Sequence, residues 1–129
     1  MPDVLIDTDV AIDFLRGEAY ARPLLLRWWQ AGAATLSVLS VYELTAGMRE
    51  QERGPTMDFI AACRVEPVSM EIATRGAELY RLSRAQGLTL TAIDCLIAAI
   101  ALERGWLIAT RNLRHYPQEG ILLDLGIPG

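Results

Sequence analysis

The sequence lacks lysine: the twelve basic side chains among its 129 residues are all arginines. Because the arginine guanidinium stays protonated in proteins, every mechanism that needs a lysine amine at the site is excluded. The net charge of −4 argues against a protein that coats nucleic acid by bulk attraction. It leaves room for a local basic patch, because phosphate binding depends on where the cations lie.

Cysteine, histidine and long apolar runs are also scarce. The two cysteines, Cys63 and Cys95, are too few for a disulfide framework and match no metal motif, which predicts small core residues. The single histidine, His115, cannot build the usual zinc site. The longest uncharged apolar run, residues 95–102, is far shorter than the ~20 residues of a membrane span, so none is expected. The first residues, MPDVLID, carry an acid where a secretory signal is positive, which predicts a cytoplasmic protein.

What the sequence does contain is an alternation of strand and helix patterns. The predicted helices are residues 9–15, 18–31, 41–52, 56–62, 71–86 and 92–104, and the predicted strands are 4–6, 34–37, 65–68, WLIAT at 106–110 and ILLDL at 121–125. Such alternation predicts one α/β domain over residues 1–129. Its centre is expected to be a mostly parallel, twisted sheet of four to five strands, flanked by helices on both faces.

Polar residues follow two of the predicted strands. Asp7 comes directly after the first strand, and Thr110 and Asn112 follow the WLIA strand in the same way. In open α/β sheets the functional site lies outside the carboxyl ends of the strands. These residues are therefore expected to face one crevice, although Asp7 could also serve only as the N-cap of the next helix.

Asp94 is the most informative acid. From Ala92 to Leu102, AIDCLIAAIAL, it is the only residue that is not apolar. An ionised carboxylate in such a buried helix is costly unless it is paired, hydrogen-bonded or bound to a cation. The alternative is a capping box, TAID, in which Thr91 is the N-cap and Asp94 bonds back to its amide.

Glu43 presents the same choice. The segment SVYE also has the spacing of a capping box that starts at Ser40, and here the acid is the preferred glutamate. Both acids lie in predicted first turns of helices, where they could face the crevice with Asp7. Asp9 and Asp13 are instead predicted to be solvated or capping groups.

If Asp7, Glu43 and Asp94 converge, their negative charges require a cation. Oxygen ligands select a hard ion, Mg²⁺ with Mn²⁺ as a substitute. Such an ion suits phosphodiester hydrolysis, because it polarises the phosphoryl oxygen and activates a bound water. The sequence has no G-x-S-x-G segment and no Gly-rich phosphate loop that would indicate another chemistry.

Four segments together resemble a PIN domain, and more closely the VapC-type ribonuclease toxins of prokaryotic toxin–antitoxin pairs: VLIDTDVAIDFLRG, LSVLSVYELTAG, LTLTAIDCLIAAIA and LIATRNLRHYP. The resemblance implies that Asp7, Glu43 and Asp94 are the acids of a Mg²⁺-dependent endoribonuclease. Many members of the family carry a further acid at the place of Asn112 or His115, and this chain has neither. Asn112 can still offer a carbonyl oxygen to a metal-bound water, so weaker metal binding, or one ion rather than two, is expected.

The resemblance further implies partners: a VapB-like antitoxin, a second copy in a homodimer, and structured RNA such as tRNA or ribosomal RNA as substrate. The pair Trp28–Trp29 fits a partner surface or, equally, a helix buried on two sides. Three arginines beside the site segments could grip substrate phosphates with Thr110 or could be ordinary surface residues: Arg16, Arg111 and Arg114.

Three other functions compete with this interpretation. The segment LIDTDV also resembles the strand-end motif of haloacid-dehalogenase-type phosphatases, but that family needs a downstream lysine. A phosphoacceptor receiver domain fails for the same reason. The third alternative is a catalytically inert binding module, in which the departures at Asn112 and His115 have removed the activity.

Overall fold

The computed structural model describes residues 1–127, which form four strands and six α-helices around a single sheet. The strands are β1 Val4–Ile6, β2 Ala34–Ser37, β3 Arg64–Glu66 and β4 Leu107–Ala109. The helices are α1 Thr8–Leu15, α2 Ala21–Gln30, α3 Val38–Gly47, α4 Arg53–Ala62, α5 Met70–Ala85 and α6 Ala92–Arg104. Single turns of 3-10 helix lie at Glu50–Glu52 and Leu113–His115.

All four strands are parallel, in the order β3-β2-β1-β4. The chain first adds strands on one side of β1 and then returns to its other side, so the strand order reverses beside β1. At that point the Asp7 amide donates a hydrogen bond to the Ala109 carbonyl, at 2.9 Å. The predicted parallel α/β fold is confirmed, and its switch point lies where β1 and β4 end.

Helices cover both faces of the sheet because β1 is apolar on both sides. Val4 and Ile6 pack into a core shared with α1, α2, α3 and α4. Leu5 points the other way, into a second core formed mainly by α6 and β4. Within residues 1–127, no helix is both long enough and apolar enough to cross a membrane.

The predicted strand ILLDL is reduced to one bridge. Leu122 lies opposite Ile108 of β4, and the Ile108 amide donates to the Ile121 carbonyl at 2.7 Å. After that the chain turns at Gly126, whose φ is +72° and whose amide donates to the Asp124 carboxylate. The prediction of a regular strand was therefore wrong, because only one residue pair of this segment forms a β-bridge with β4 before the chain turns.

The two tryptophans are both used inside the domain. Trp28 is fully buried in the sheet core. Trp29 packs edge-on against Phe14, with ring centroids 5.1 Å apart, and also contacts Phe59. Of the two alternatives left by the sequence, the structure favours a helix that is buried on two sides.

The close contact of α5 with α6 at Gly76 gives a first prediction. A Cβ at residue 76 would lie 2.7 Å from Leu96 Cδ2, so Gly76→Ala must push the two helices apart or move the leucine. We expect a loss of roughly 1–3 kcal/mol in the free energy of unfolding, measured by urea denaturation.

Gly54→Ala is the matched control, because Gly54 lies in α4 with no atom within 4 Å of an added Cβ. There the better helix propensity of alanine should leave stability unchanged or raise it by about 0.5–1 kcal/mol. Equal stability of the two variants would contradict the α5–α6 packing.

Candidate active site

The site is built on Asp7, the first residue after β1. Asp7 is the N-cap of α1, and its Oδ1 accepts a hydrogen bond from the Thr8 amide at 2.9 Å. Its Oδ2 accepts from the hydroxyl of Thr110, which follows β4, at 2.8 Å. The residue as a whole is only 6 % exposed. Asp7 thus both caps α1 and lies at the carboxyl ends of β1 and β4.

Asp9 lies beside Asp7, although its sequence pattern predicted a solvated or capping group. Its Oδ1 accepts from the Val10 amide at 2.8 Å and lies 3.4 Å from the Thr110 hydroxyl. Its Oδ2 accepts from the Arg111 amide, also at 2.8 Å. Because α1 starts at once after β1, its first turn folds Asp9 back towards the end of β4. Asp9 therefore lies with Asp7 at the carboxyl ends of β1 and β4.

Burial and one neighbouring acid shift the pKa of Asp7. Burial, and then the negative charge of Asp9, raise the pKa of Asp7 to about 6. The hydrogen bonds from Thr110 and Thr8, and the contact with the Tyr116 hydroxyl, act in the opposite direction but do not compensate. An ionised Asp7 at neutral pH is thus unfavourable in the metal-free protein, and a cation at this point would relieve it.

Asp94 lies in the first turn of α6, where Thr91 is the N-cap. The Thr91 hydroxyl accepts a hydrogen bond from the Asp94 amide at 3.1 Å. Within the described chain, the Asp94 carboxylate makes no return bond to the Thr91 amide, so only half of the predicted capping box forms. Its Oδ2 lies 3.5 Å from His115 Nδ1. The backbone of Asp94 thus serves the helix cap, while the carboxylate faces the segment after β4.

Glu43 is not part of a capping box. The N-cap of α3 is Ser37, whose hydroxyl accepts from the amides of Leu39 and Ser40, both at 3.1 Å. The predicted start at Ser40 was wrong, and Glu43 lies in the second turn. Its Oε1 accepts from the Thr8 hydroxyl at 2.7 Å, next to Asp7. Glu43 also lines a cleft of about 200 Å³ with Arg16, between α1, α3 and α4.

The segment after β4 carries Asn112, a predicted site residue, and Tyr116, which was not predicted. The backbone amide of Asn112 donates to the Thr110 hydroxyl at 3.0 Å, and its side chain is exposed. Tyr116 follows the 3-10 turn and is 1 % exposed, with its ring in the α6 and β4 core. The negative charges of Asp7 and Asp94 both act on its hydroxyl. An aromatic residue is usually taken as part of the core, and only the position of Tyr116 inside the fourth segment, LIATRNLRHYP, could have indicated a role.

The three arginines proposed for phosphate binding differ. Arg111 Nε donates to the buried Asp13 carboxylate at 2.6 Å and to the Tyr20 hydroxyl at 3.2 Å. The solvated role predicted for Asp13 was therefore wrong, and part of the Arg111 guanidinium is already engaged. Arg16 and Arg114 are exposed, and neither forms an ion pair within the described residues.

The donors fit a hard, partly hydrated cation better than a fully protein-bound one. In residues 1–127, no three acidic, histidine or cysteine side chains come close enough to hold a metal ion by themselves. The direct convergence of Asp7, Glu43 and Asp94 is thus not observed. The donors at the strand ends are oxygens, and Mg²⁺ commonly keeps several waters while it binds one or two carboxylates. The arrangement around Asp7 meets that requirement.

The sequence profile of the PIN domain matches residues 4–117, a span that contains every site residue described above. The chain belongs to the PIN-domain family. Ribonuclease VapC10 of Mycobacterium tuberculosis is 35 % identical over 127 residues, which cover 98 % of this chain and 96 % of the relative. Ribonuclease VapC19 of the same organism is 38 % identical over 114 residues, 88 % of this chain and 91 % of the relative.

Solved PIN-fold structures agree with the architecture. The DNA-bound VapBC of Salmonella typhimurium superimposes with a TM-score of 0.82 at 19 % identity, over 95 % of this chain and 96 % of that one. A toxin–antitoxin complex from Klebsiella pneumoniae gives a TM-score of 0.78 at 20 % identity, over 95 % and 98 %. At such identities the likeness shows the fold alone. The resemblance to VapC-type PIN domains is confirmed, and the phosphatase and receiver alternatives are set aside.

Proposed function

We propose that this PIN domain is a VapC-type endoribonuclease that hydrolyses RNA phosphodiester bonds at the acidic edge formed by Asp7, Asp9 and Asp94. The observation that carries the proposal is Asp7: a buried carboxyl group, held by two hydrogen bonds at the switch point of the sheet, with a second acid beside it. Two relatives, which match 98 % and 88 % of this chain, are named ribonucleases. Nucleases of this kind depend on a divalent metal ion, and we propose Mg²⁺, with Mn²⁺ as a substitute.

Each residue has a separate task in this proposal. Asp7 and Asp94 would hold the cation, with Asp9 and Glu43 next to Asp7 acting directly or through water. When bound, the cation supplies a Lewis acid for the phosphoryl oxygen and a water of lowered pKa as the nucleophile. Thr110 and Thr8 fix the orientation of Asp7, and Thr8 also orients Glu43. The amide oxygen of Asn112 would accept a hydrogen bond from a bound water.

Substrate and partners follow from charge and from the relatives. Arg16, which lines the cleft with Glu43, and Arg114, in the 3-10 turn with His115, are exposed and would bind RNA phosphates together with Thr110 and the free part of the Arg111 guanidinium. The structural relatives are solved as VapBC and toxin–antitoxin complexes. We therefore propose a VapB-like antitoxin as partner, a homodimer as the toxin's own assembly, and tRNA or ribosomal RNA as substrate.

The test is cleavage of a mixture of total tRNA and ribosomal RNA by the purified protein, with Mg²⁺, with Mn²⁺ and with a chelator. We expect discrete fragments that require the ion and are absent with the Asp7→Asn protein. Intact RNA after incubation with folded, antitoxin-free protein and Mg²⁺ would contradict the proposal for these substrates and favour the inert binding module.

Glu43→Gln gives a graded prediction. The amide oxygen of glutamine can still accept from the Thr8 hydroxyl, so the fold should be preserved, whereas the charge that acts on bound water is lost. We expect cleavage to fall by about 10- to 100-fold, less than with Asp7→Asn. Glu50→Gln, at an exposed residue that forms an ion pair with Arg53, is the control and should cleave like the wild type. A loss as complete as that of Asp7→Asn would instead make Glu43 a direct ligand.

A further inference from the structure

The hydroxyl of Tyr116 is a buried donor close to the Asp7 carboxyl group, and this contact lowers the pKa of Asp7. The residue is 1 % exposed, and among residues 1–127 no acceptor, Asp7 included, meets its hydroxyl in hydrogen-bond geometry. Burying a hydroxyl without a partner is unfavourable, and phenylalanine would fill the same space without that cost. A polar atom retained in such a place therefore calls for an explanation by a ligand or a water.

The surroundings of this hydroxyl indicate what it faces. The ring is fixed by the core of Leu5, Ile97 and Ile108, so it has little freedom to turn. Its polar end lies beside the Asp7 carboxyl group and within the field of Asp94. Burial and these negative charges raise the pKa of Tyr116, so the phenol remains a protonated donor. One donor thus lies within the field of two acceptor groups, the carboxylates of Asp7 and Asp94.

We propose that Tyr116 is a positioning residue of the nuclease site, whose hydroxyl donates a hydrogen bond to a water held between Asp7 and Asp94. This inference rests on the proposed function and adds to it a residue from the hydrophobic core. A single water can accept from the phenol and donate to both carboxylates, which satisfies all three groups at once. The same water has a lone pair left for a cation bound by the acids.

The neighbouring residues support this role. At the end of β4 the chain has Asn112 and His115 and no acid, so the segment cannot add another carboxylate to the site. His115 Nδ1 lies 3.5 Å from Asp94 Oδ2, whereas Tyr116 lies close to Asp7. Tyr116 thus gives this side of the site a neutral donor that fixes bound water without further negative charge.

Tyr116→Phe tests the inference because it removes one oxygen that makes no hydrogen bond of good geometry to a described protein atom. We expect unfolding by urea in the presence of chelator to be unchanged or shifted to higher urea. Mg²⁺ affinity, measured by calorimetry, should weaken by roughly 10-fold, and kcat for RNA should fall by a similar factor with KM unchanged. Tyr42→Phe, at an exposed tyrosine, is the control and should match the wild type in all three measurements.

Three results would overturn the inference. Wild-type Mg²⁺ affinity in Tyr116→Phe would show that the hydroxyl does not act on the hydration of the site. Lower stability in chelator would show that it has a structural partner instead. If the wild-type protein binds Mg²⁺ but cleaves no RNA, the proposed function fails while the affinity comparison still decides the role of Tyr116. A wild-type protein that binds no Mg²⁺ overturns the inference as well.

Discussion

Asp7→Asn is expected to abolish RNA cleavage and, at the same time, to make the metal-free protein more stable. The pKa of Asp7 is raised to about 6 by burial and by Asp9, from an ordinary value near 3.9. A difference of about two pKa units corresponds to roughly 3 kcal/mol at neutral pH, an upper limit for what the ionised group costs the folded state. Asparagine keeps an oxygen for the Thr8 amide, so the cap of α1 survives.

The stability difference should depend on pH in a defined direction. Because the pKa is raised in the folded state, folded wild-type protein binds a proton at Asp7 that the unfolded chain has already lost between about pH 4 and pH 6. Wild type and Asp7→Asn should therefore be nearly equal in stability below about pH 4. The variant should gain steadily as the pH rises and reach its full advantage above about pH 6. Urea denaturation with chelator from pH 4 to pH 8 measures this.

A metal titration completes this test. Added Mg²⁺ should stabilise the wild type, since a ligand that binds only the folded state raises the free energy of unfolding, and should leave Asp7→Asn unchanged. Asp58→Asn, at an exposed acid of α4, is the control and should behave as the wild type throughout. An Asp7→Asn protein that is less stable than the wild type at pH 7 would show that the carboxylate is already satisfied by its hydrogen bonds.

The features predicted correctly from the sequence are those that depend on local rules. The bounds of α6 match the prediction, because Thr91 caps its start and Gly105, with φ of +70°, ends it in the left-handed region. The position of Asp7 and Thr110 at one edge follows from the rule that parallel strands end together. Both inferences need only the pattern of one element or the fold class.

The features that were missed depend on contacts between distant segments. Asp9 belongs to the acidic edge because of the Arg111 amide and the Thr110 hydroxyl, which are about a hundred residues away in the sequence. The start of α3 required a choice between Ser37 and Ser40, and the pairing of β2 with β3 up to Ser37 decides it. Local spacing favoured Ser40 and so assigned Glu43 to the wrong turn.

Asp94→Asn is expected to reduce RNA cleavage on the order of 10³-fold with little change in stability. The cap of α6 depends on the Thr91 hydroxyl and the Asp94 amide, neither of which changes in the variant. The carboxylate, in contrast, is the group that would bind the cation from the α6 side. The measurement pairs a cleavage assay with urea denaturation in chelator.

Thr91→Ala is the reciprocal control, because it removes the helix cap and keeps the Asp94 carboxylate. Together the two variants distinguish capping from cation binding. Loss of the N-cap hydroxyl should cost about 1 kcal/mol of stability, while cleavage by the folded protein is retained, because the Asp94 carboxylate is still present. If Asp94→Asn instead loses stability and keeps its cleavage, Asp94 is a capping residue and the site must be built from Asp7, Asp9 and Glu43 alone. If both variants lose cleavage equally, the first turn of α6 acts as one unit, since the position of the carboxylate then depends on the cap that holds it.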